Sequence, residues 1–127
     1  MLFDPGQTGD FAAELAEDAR HEQVPPWCSW IAWQGEVPVA MGGFKGPPAS
    51  GGVEIGYLTF AAYQGNGHAT ALAAFLVATA HGEGVDRIVA HSLPEANAST
   101  RVLEKNGFVR DGFGADDDVG EVWRWVR

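Results

Sequence analysis

The sequence holds a single cysteine, Cys28, so no internal disulfide framework is open to it. Nothing around Cys28 suggests thiolate activation, and a buried strand position is expected for it. Basic residues are also scarce: eight Lys and Arg stand against 17 Asp and Glu, a formal balance of −9. That field opposes phosphate backbones, so no nucleic-acid partner is expected. No apolar run reaches the roughly 18–20 residues of a membrane-spanning helix. The longest candidate, Ala69 to Ala80, is rich in alanine and ends at His81-Gly82-Glu83. Acidic Asp4 and Asp10 flank the first apolar residues where a signal peptide would carry basic ones, so a cytoplasmic setting is expected. The four histidines lack ligand-pair spacing and Asp116-Asp117-Asp118 lacks calcium-loop spacing, so no metal site is expected.

What remains is an ordinary globular composition, 46% hydrophobic and 20% charged, over 127 residues. That suits one domain spanning 1–127, with no internal repeat and no linker. Phe11, Leu15 and Ala19 recur at helical spacing, which predicts a helix from Asp10 to Glu22, ended by Pro25-Pro26. Cys28 to Gln34 and Val37 to Phe44 read as a hairpin of strands, with Pro38 suggesting an edge or an irregular start. Val53 to Phe60 reads as a third strand. A helix follows from Ala69 to about His81, with Ala69, Leu72, Ala73, Leu76 and Ala80 as its apolar stripe and Gly82 as its C′ residue. Then come a strand at Arg87 to Ser92, a helix from Ala98 to Asn106 capped by Asn97, and a Schellman stop in which Phe108 faces Leu103. A short strand from Phe108 to Asp111, an acidic turn from Gly114 to Gly120 and a strand from Glu121 to Arg127 complete an α+β domain with a mostly antiparallel sheet.

The chemistry-bearing stretch is strand, then Gln64-Gly65-Asn66-Gly67-His68-Ala69, then helix. Its glycines permit positive φ and close approach of a ligand to the backbone. The helix start adds unpaired N–H donors and the positive end of a dipole, which together form an anion cradle suited to a pyrophosphate. The loop matches neither G-x-G-x-x-G nor the P-loop, which needs a Lys and a Ser or Thr.

The run Gly56 to Thr70 closely resembles the acetyl-CoA signature of the GNAT superfamily of N-acetyltransferases. The pattern Arg/Gln-x-x-Gly-x-Gly/Ala is met by Gln64, Gly67 and Ala69. A second block, Asn97 to Phe108, resembles that family's Asn-Ser-Lys-Gly-Phe helix in compressed form. Within the superfamily the chain is most similar to the ribosomal-protein N-terminal (Rim-type) branch and its small-molecule relatives. The resemblance covers roughly residues 28–127. It implies a three-layer α+β fold whose mixed sheet splays at the cofactor site between flanking helices. It implies acetyl-CoA as co-substrate, with pantetheine along Leu58, Thr59 and Phe60, and pyrophosphate on the N–H groups of Gln64, Gly65, Asn66, Gly67, His68 and Ala69. Asn97 and Ser99 would meet the pantetheine or sulfur end, although Asn97 also serves as a plain N-cap, and Arg101 would reach toward the phosphates.

Acetyl transfer to an amine requires a positioned neutral amine, a base and a proton donor. Glu54 is the first candidate base, as the lone carboxylate between Glu36 and Glu83, and His91 is the second. Ser99 and Ser92 are candidate acids. The tyrosine that many relatives carry in or after the second helix has no counterpart, since the two tyrosines are Tyr57 and Tyr63. The expected function is therefore transfer of acetyl to a primary amine of a small molecule or protein N-terminus. A catalytically inactive acyl-CoA sensor is the alternative. Against the family, the first strand and much of the first helical segment are expected to be missing before Asp10. In the family those elements wall the acceptor site, so it is either open or completed by a second subunit, and a homodimer is expected. Residues 25–109, which would hold the polyanionic cofactor, carry only −2 of the net charge.

Overall fold

In a computed structural model, which describes residues 1–5, 24–50, 52–116 and 118–127, seven strands share one sheet. They are β1 (Leu2–Pro5), β2 (Ser29–Gln34), β3 (Val37–Phe44), β4 (Gly52–Thr59), β5 (Arg87–Ser92), β6 (Val109–Asp116) and β7 (Gly120–Val126). The order across the sheet is β1-β2-β3-β4-β5-β7-β6. All neighbours are antiparallel except β4 and β5, which run parallel. Helix α1 (His68–Gly82) makes the crossover between those two, and α2 (Ala98–Lys105) follows β5. The helix expected over Asp10 to Glu22 lies outside the described residues.

The α1 stripe is buried as Leu72, Ala73, Leu76, Val77 and Ala80. It packs with Val53 and Ile55 of β4, Ile88 and Ala90 of β5, and Leu103 of α2 in one core. Each aliphatic side chain withdrawn there contributes about 1.5–3 kcal/mol. Cys28 is buried, and burial pushes its thiol pKa up, which suits a packing role. No helix among the described residues is long and apolar enough to cross a membrane.

Several boundaries differ from expectation. The first strand is present: β1 pairs with β2 in register Phe3↔Ala32, and Phe3 stacks on Phe75 of α1 with ring centroids 4.4 Å apart. Four residues ending in proline carry too little alternation to announce a strand, and the stacking partner is remote in the chain. β1 also removes the argument from a missing first strand that stood behind the expected second subunit. Pro38 is not at an edge, since β3 lies between β2 and β4. The register of β2 against β3 shifts between Ala32 and Trp33, beside Pro38, so an irregularity accommodates its missing N–H. Helix α1 runs through Gly82, and it is Gly84, at φ 83°, that takes the left-handed stop. Val85 is buried and donates to Ala80 O at 3.0 Å, which sets that stop two residues later than expected. By contrast, Gly107 and Phe108 form the expected Schellman pair, donating to Glu104 O at 3.1 Å and Leu103 O at 3.0 Å.

β6 is longer than expected and extends through Asp116, because pairing with β7 continues past an irregularity between Arg110 and Phe113. The acidic turn is correspondingly tighter: Asp116 Oδ1 accepts the N–H groups of Asp118 (2.8 Å) and Val119 (3.2 Å).

Gly42 on β3 holds the sheet together at the site. A Cβ there would lie 2.4 Å from Gly56 O and 2.7 Å from Tyr57 Cα, both backbone atoms of β4 that cannot turn aside. Gly42→Ala is expected to destabilise the protein by roughly 1–3 kcal/mol. Thermal unfolding checks this: the midpoint falls by several degrees.

Candidate active site

The parallel pair β4–β5 is joined only from Gly52↔Arg87 to Ile55↔Ala90. Beyond that point β4 stays with β3, through Gly56↔Gly43 to Thr59↔Ala40, while β5 stays with β7, through His91↔Arg124 and Ser92↔Trp123. The two strands therefore part at Gly56 and His91. Among the described residues, the edge of β4 facing the gap has no strand partner, so its backbone polar groups are open to another hydrogen-bonding chain. This is the splayed sheet that the resemblance implied.

A cleft of about 340 Å³ opens along the gap. One wall is Tyr57, Leu58 and Thr59 of β4. The floor at its far end is the Gln64–Thr70 turn and the start of α1, and the other wall is α2 with Ala98, Ser99 and Arg101. Gly67, the N-cap of α1, sits at φ 78°, a conformation that turns the loop and costs an L side chain about 1–2 kcal/mol. His68 Nδ1 is buried there with no hydrogen-bond partner, an orphaned polar atom beside the free N–H groups of the helix start. Arg101 and Lys105 bring two positive charges to the same cleft. These residues fit a phosphorylated, amide-containing ligand, with amides along β4 and anionic groups at α1.

Of the residues expected to hold the cofactor, Leu58, Thr59, Gln64, Gly65, Gly67, His68, Ala69 and Ser99 line this cleft. Three do not. Phe60 N–H donates to Val39 O at 3.0 Å, so β3 already holds it. Asn66 turns its Nδ2 back to Tyr63 O (3.3 Å) and Gln64 O (3.4 Å), bracing the loop. Asn97 is the N-cap: its Oδ1 accepts Thr100 N–H at 3.0 Å, and its own N–H donates to Thr100 Oγ1 at 2.9 Å. That reciprocal box stabilises α2 by about 1 kcal/mol.

The two candidate bases, 37 residues apart in sequence, meet at the point where the strands part. His91 Nδ1 lies 3.0 Å from Glu54 Oε2. Lys45 Nζ lies 3.1 Å from the same oxygen. Half-burial works to raise the Glu54 carboxyl, but hydrogen bonds from His91 and Lys45, with their charges, outweigh it and hold the group below its ordinary value. An ionised carboxylate only accepts, so the shared proton belongs to His91 Nδ1, and Nε2 is the ring nitrogen that Glu54 does not engage. Gly114 of β6 makes room for that nitrogen, since a Cβ there would lie 2.8 Å from Nε2. Side chains alternate along β4, so Glu54 stands on the face opposite Val53, Ile55 and Tyr57. The gap thus has a cleft suited to an anion on one face and a carboxylate–imidazole pair on the other.

Ser92 is not free for proton transfer: its Oγ accepts Trp125 Nε1–H at 2.9 Å and donates to Leu93 O at 3.1 Å. Sequence reasoning passed over Tyr57, whose O–H donates to Ser99 O at 3.0 Å, with Ser99 Oγ at 3.4 Å. Burial raises the Tyr57 pKa, so the phenol keeps its proton through neutral pH. Strand alternation alone would have placed Tyr57 on the face away from Glu54. The contact across 42 residues needed the packing of α2 on the sheet.

A sequence profile described as the acetyltransferase (GNAT) domain matches residues 3–109. Among curated protein sequences, none matches this chain. Solved structures do. A Bacillus subtilis acetyltransferase in complex with CoA is 16% identical with TM-score 0.76, over 98% of this chain and 95% of that one. Mycobacterium smegmatis RimJ in complex with CoA-disulfide is 20% identical with TM-score 0.72, over 98% and 68%. An aminoglycoside acetyltransferase in complex with coenzyme A and kanamycin is 23% identical with TM-score 0.68, over 79% of this chain. This chain spans 65% of that enzyme's length, a little under two thirds. At these identities the likeness is one of fold. With the profile covering most of the sequence, the chain belongs to the GNAT acetyltransferase family.

Proposed function

We propose that this chain is an acetyl-CoA-dependent N-acetyltransferase that moves an acetyl group to a primary amine by direct attack in a ternary complex. The observation that carries the reading is the gap between β4 and β5, with a phosphate-suited cleft at one end and the Glu54–His91 pair where the strands part. Chains of the same fold that hold coenzyme A support it. The co-substrate supplies the activated acyl group when bound, and the protein residues orient it and move protons. The free backbone edge from Gly56 to Thr59 takes the amides of the pantetheine arm, while the N–H groups around Gly67 and the side chains of His68, Arg101 and Lys105 take the phosphates.

On the opposite face, the ionised Glu54 attracts a cationic amine and the Glu54–His91 pair receives its proton. The Tyr57 hydroxyl, held by Ser99 and protonated at neutral pH, is placed on the helix face of the gap to return a proton to the leaving thiolate. The acidic terminal segments, which carry −7 of the −9, draw a cationic acceptor without opposing the cofactor. The acceptor class is a small-molecule amine or a protein N-terminus.

Titration calorimetry with acetyl-CoA and CoA tests the reading first: both bind, and absence of binding overturns it. In an amine panel followed by thiol release, Glu54→Gln is expected to keep acetyl-CoA affinity within a few-fold while turnover falls by about 10²–10⁴. Unchanged turnover would remove Glu54 from the chemistry, and no release with any amine would favour an inactive acyl-CoA sensor. Tyr57→Phe is expected to retain binding and lower kcat by about 10-fold or more, with KM for the amine little changed. Gly67→Ala acts at the other end of the cleft: its strain is expected to weaken CoA binding by about tenfold, read by the same calorimetry.

A further inference from the structure

Lys45 has no part in the mechanism above, yet its amine lies at the candidate base. It directly follows β3, and its N–H donates to Glu54 O at 2.8 Å, so the two residues sit side by side across the β3–β4 hairpin. Its stem runs over Gly56, where a Cβ would stand 3.3 Å from Lys45 Cε. Gly56 is the first β4 residue past the last β4–β5 pair, Ile55↔Ala90. Lys45 Nζ therefore sits on the Glu54–His91 face, at the point where the strands part. The side chain is 59% exposed, and an ion pair this open is weak, so Glu54 orients the amine without trapping it.

We propose that Lys45 is a self-acetylation site, an internal acceptor that captures the acetyl group when no external amine occupies the face. The inference rests on the acetyltransferase reading above. In the step, the lone pair of the free Lys45 amine attacks the thioester carbonyl carbon. The new N–C bond forms, the C–S bond breaks, and its electron pair leaves on sulfur. The proton lost from nitrogen passes to the Glu54–His91 pair, and a proton delivered to the thiolate gives CoA-SH. The product is an amide that carries no charge, so Glu54 Oε2 loses the charge of its lysine partner and becomes more open to an incoming ammonium group. Self-acetylation would in this way prime the site for a cationic acceptor.

The chain contains its own control, because Lys105 is the other of its two lysines. Lys105 lines the far part of the cleft, on α2, and has no ion pair to Glu54. The full chain is incubated with acetyl-CoA in the absence of any amine, and acetylated peptides are followed by mass spectrometry. Lys45 is expected to be labelled about 100-fold faster than Lys105, at a rate independent of protein concentration. Glu54→Gln is expected to slow labelling of Lys45 by about tenfold or more and to leave Lys105 unchanged. Equal labelling of the two lysines in the unsubstituted protein overturns the proposal, whatever the fate of the variant. Acetyl-CoA binding and thiol release to external amines, measured in parallel, separate the two levels. Turnover with Lys45 unmodified overturns self-acetylation alone, whereas absence of acetyl-CoA binding overturns the function and this inference together.

Discussion

β4 and β5 share hydrogen bonds only as far as Ile55 and Ala90, and each then follows its other neighbour. Two contacts hold the strands apart. The Trp125 indole on β7 donates to Ser92 at the end of β5, drawing that strand toward β7. Tyr57 at the end of β4 turns instead to Ser99 of α2. Backbone that has lost a strand partner keeps its donors and acceptors open to a new one, here along a part-exposed edge from Gly56 to Thr59. The gap is therefore a site that invites an extended, amide-bearing ligand. It also joins the two faces of the sheet, so groups on opposite faces can act on one bound molecule.

Electrostatics divides the labour along this gap. At the α1 end the donors are backbone N–H groups, an orphaned His68 nitrogen and two cationic side chains, with no carboxylate among the residues lining the cleft. Where the strands part, a half-buried carboxylate is held ionised by His91 and Lys45 on a single oxygen. Burying that charge alone would be unfavourable, and its two partners are what allow it to persist. A lowered pKa makes Glu54 a poor base by itself, which is why the proposed chemistry assigns the proton to the Glu54–His91 pair. The strand β6 contributes by omission, since the absent side chain of Gly114 leaves His91 its place.

Much of the fold was legible because its signals are local. The α1 stripe, the Asn97 cap and the Schellman stop at Gly107 each depend on residues within a few positions of one another. The glycine turn before α1 was legible for the same reason. Where local patterns competed, the reading slipped. Gly82 and Gly84 are equally good stops by composition, and the burial of Val85 decides for Gly84. The short β1 becomes visible only through Phe3 stacking on Phe75, and β6 extends only because β7 lies alongside. Asn97 and Phe60 looked like ligand contacts by family pattern, but hydrogen bonding within the chain already occupies Asn97 Oδ1 and the Phe60 N–H.

By itself, then, the sequence determined most of the described elements, the glycine turn before α1 and the supply of candidate acids and bases, since periodicity, caps and residue chemistry act over one or two turns of chain. It did not determine which of those groups would meet. The Glu54–His91 pair, the Tyr57–Ser99 bond and the place of Lys45 beside Glu54 were decided by tertiary structure. They depend on one parallel strand pair closing through a helical crossover and then parting, a geometry set by long-range pairing energies that no local window contains.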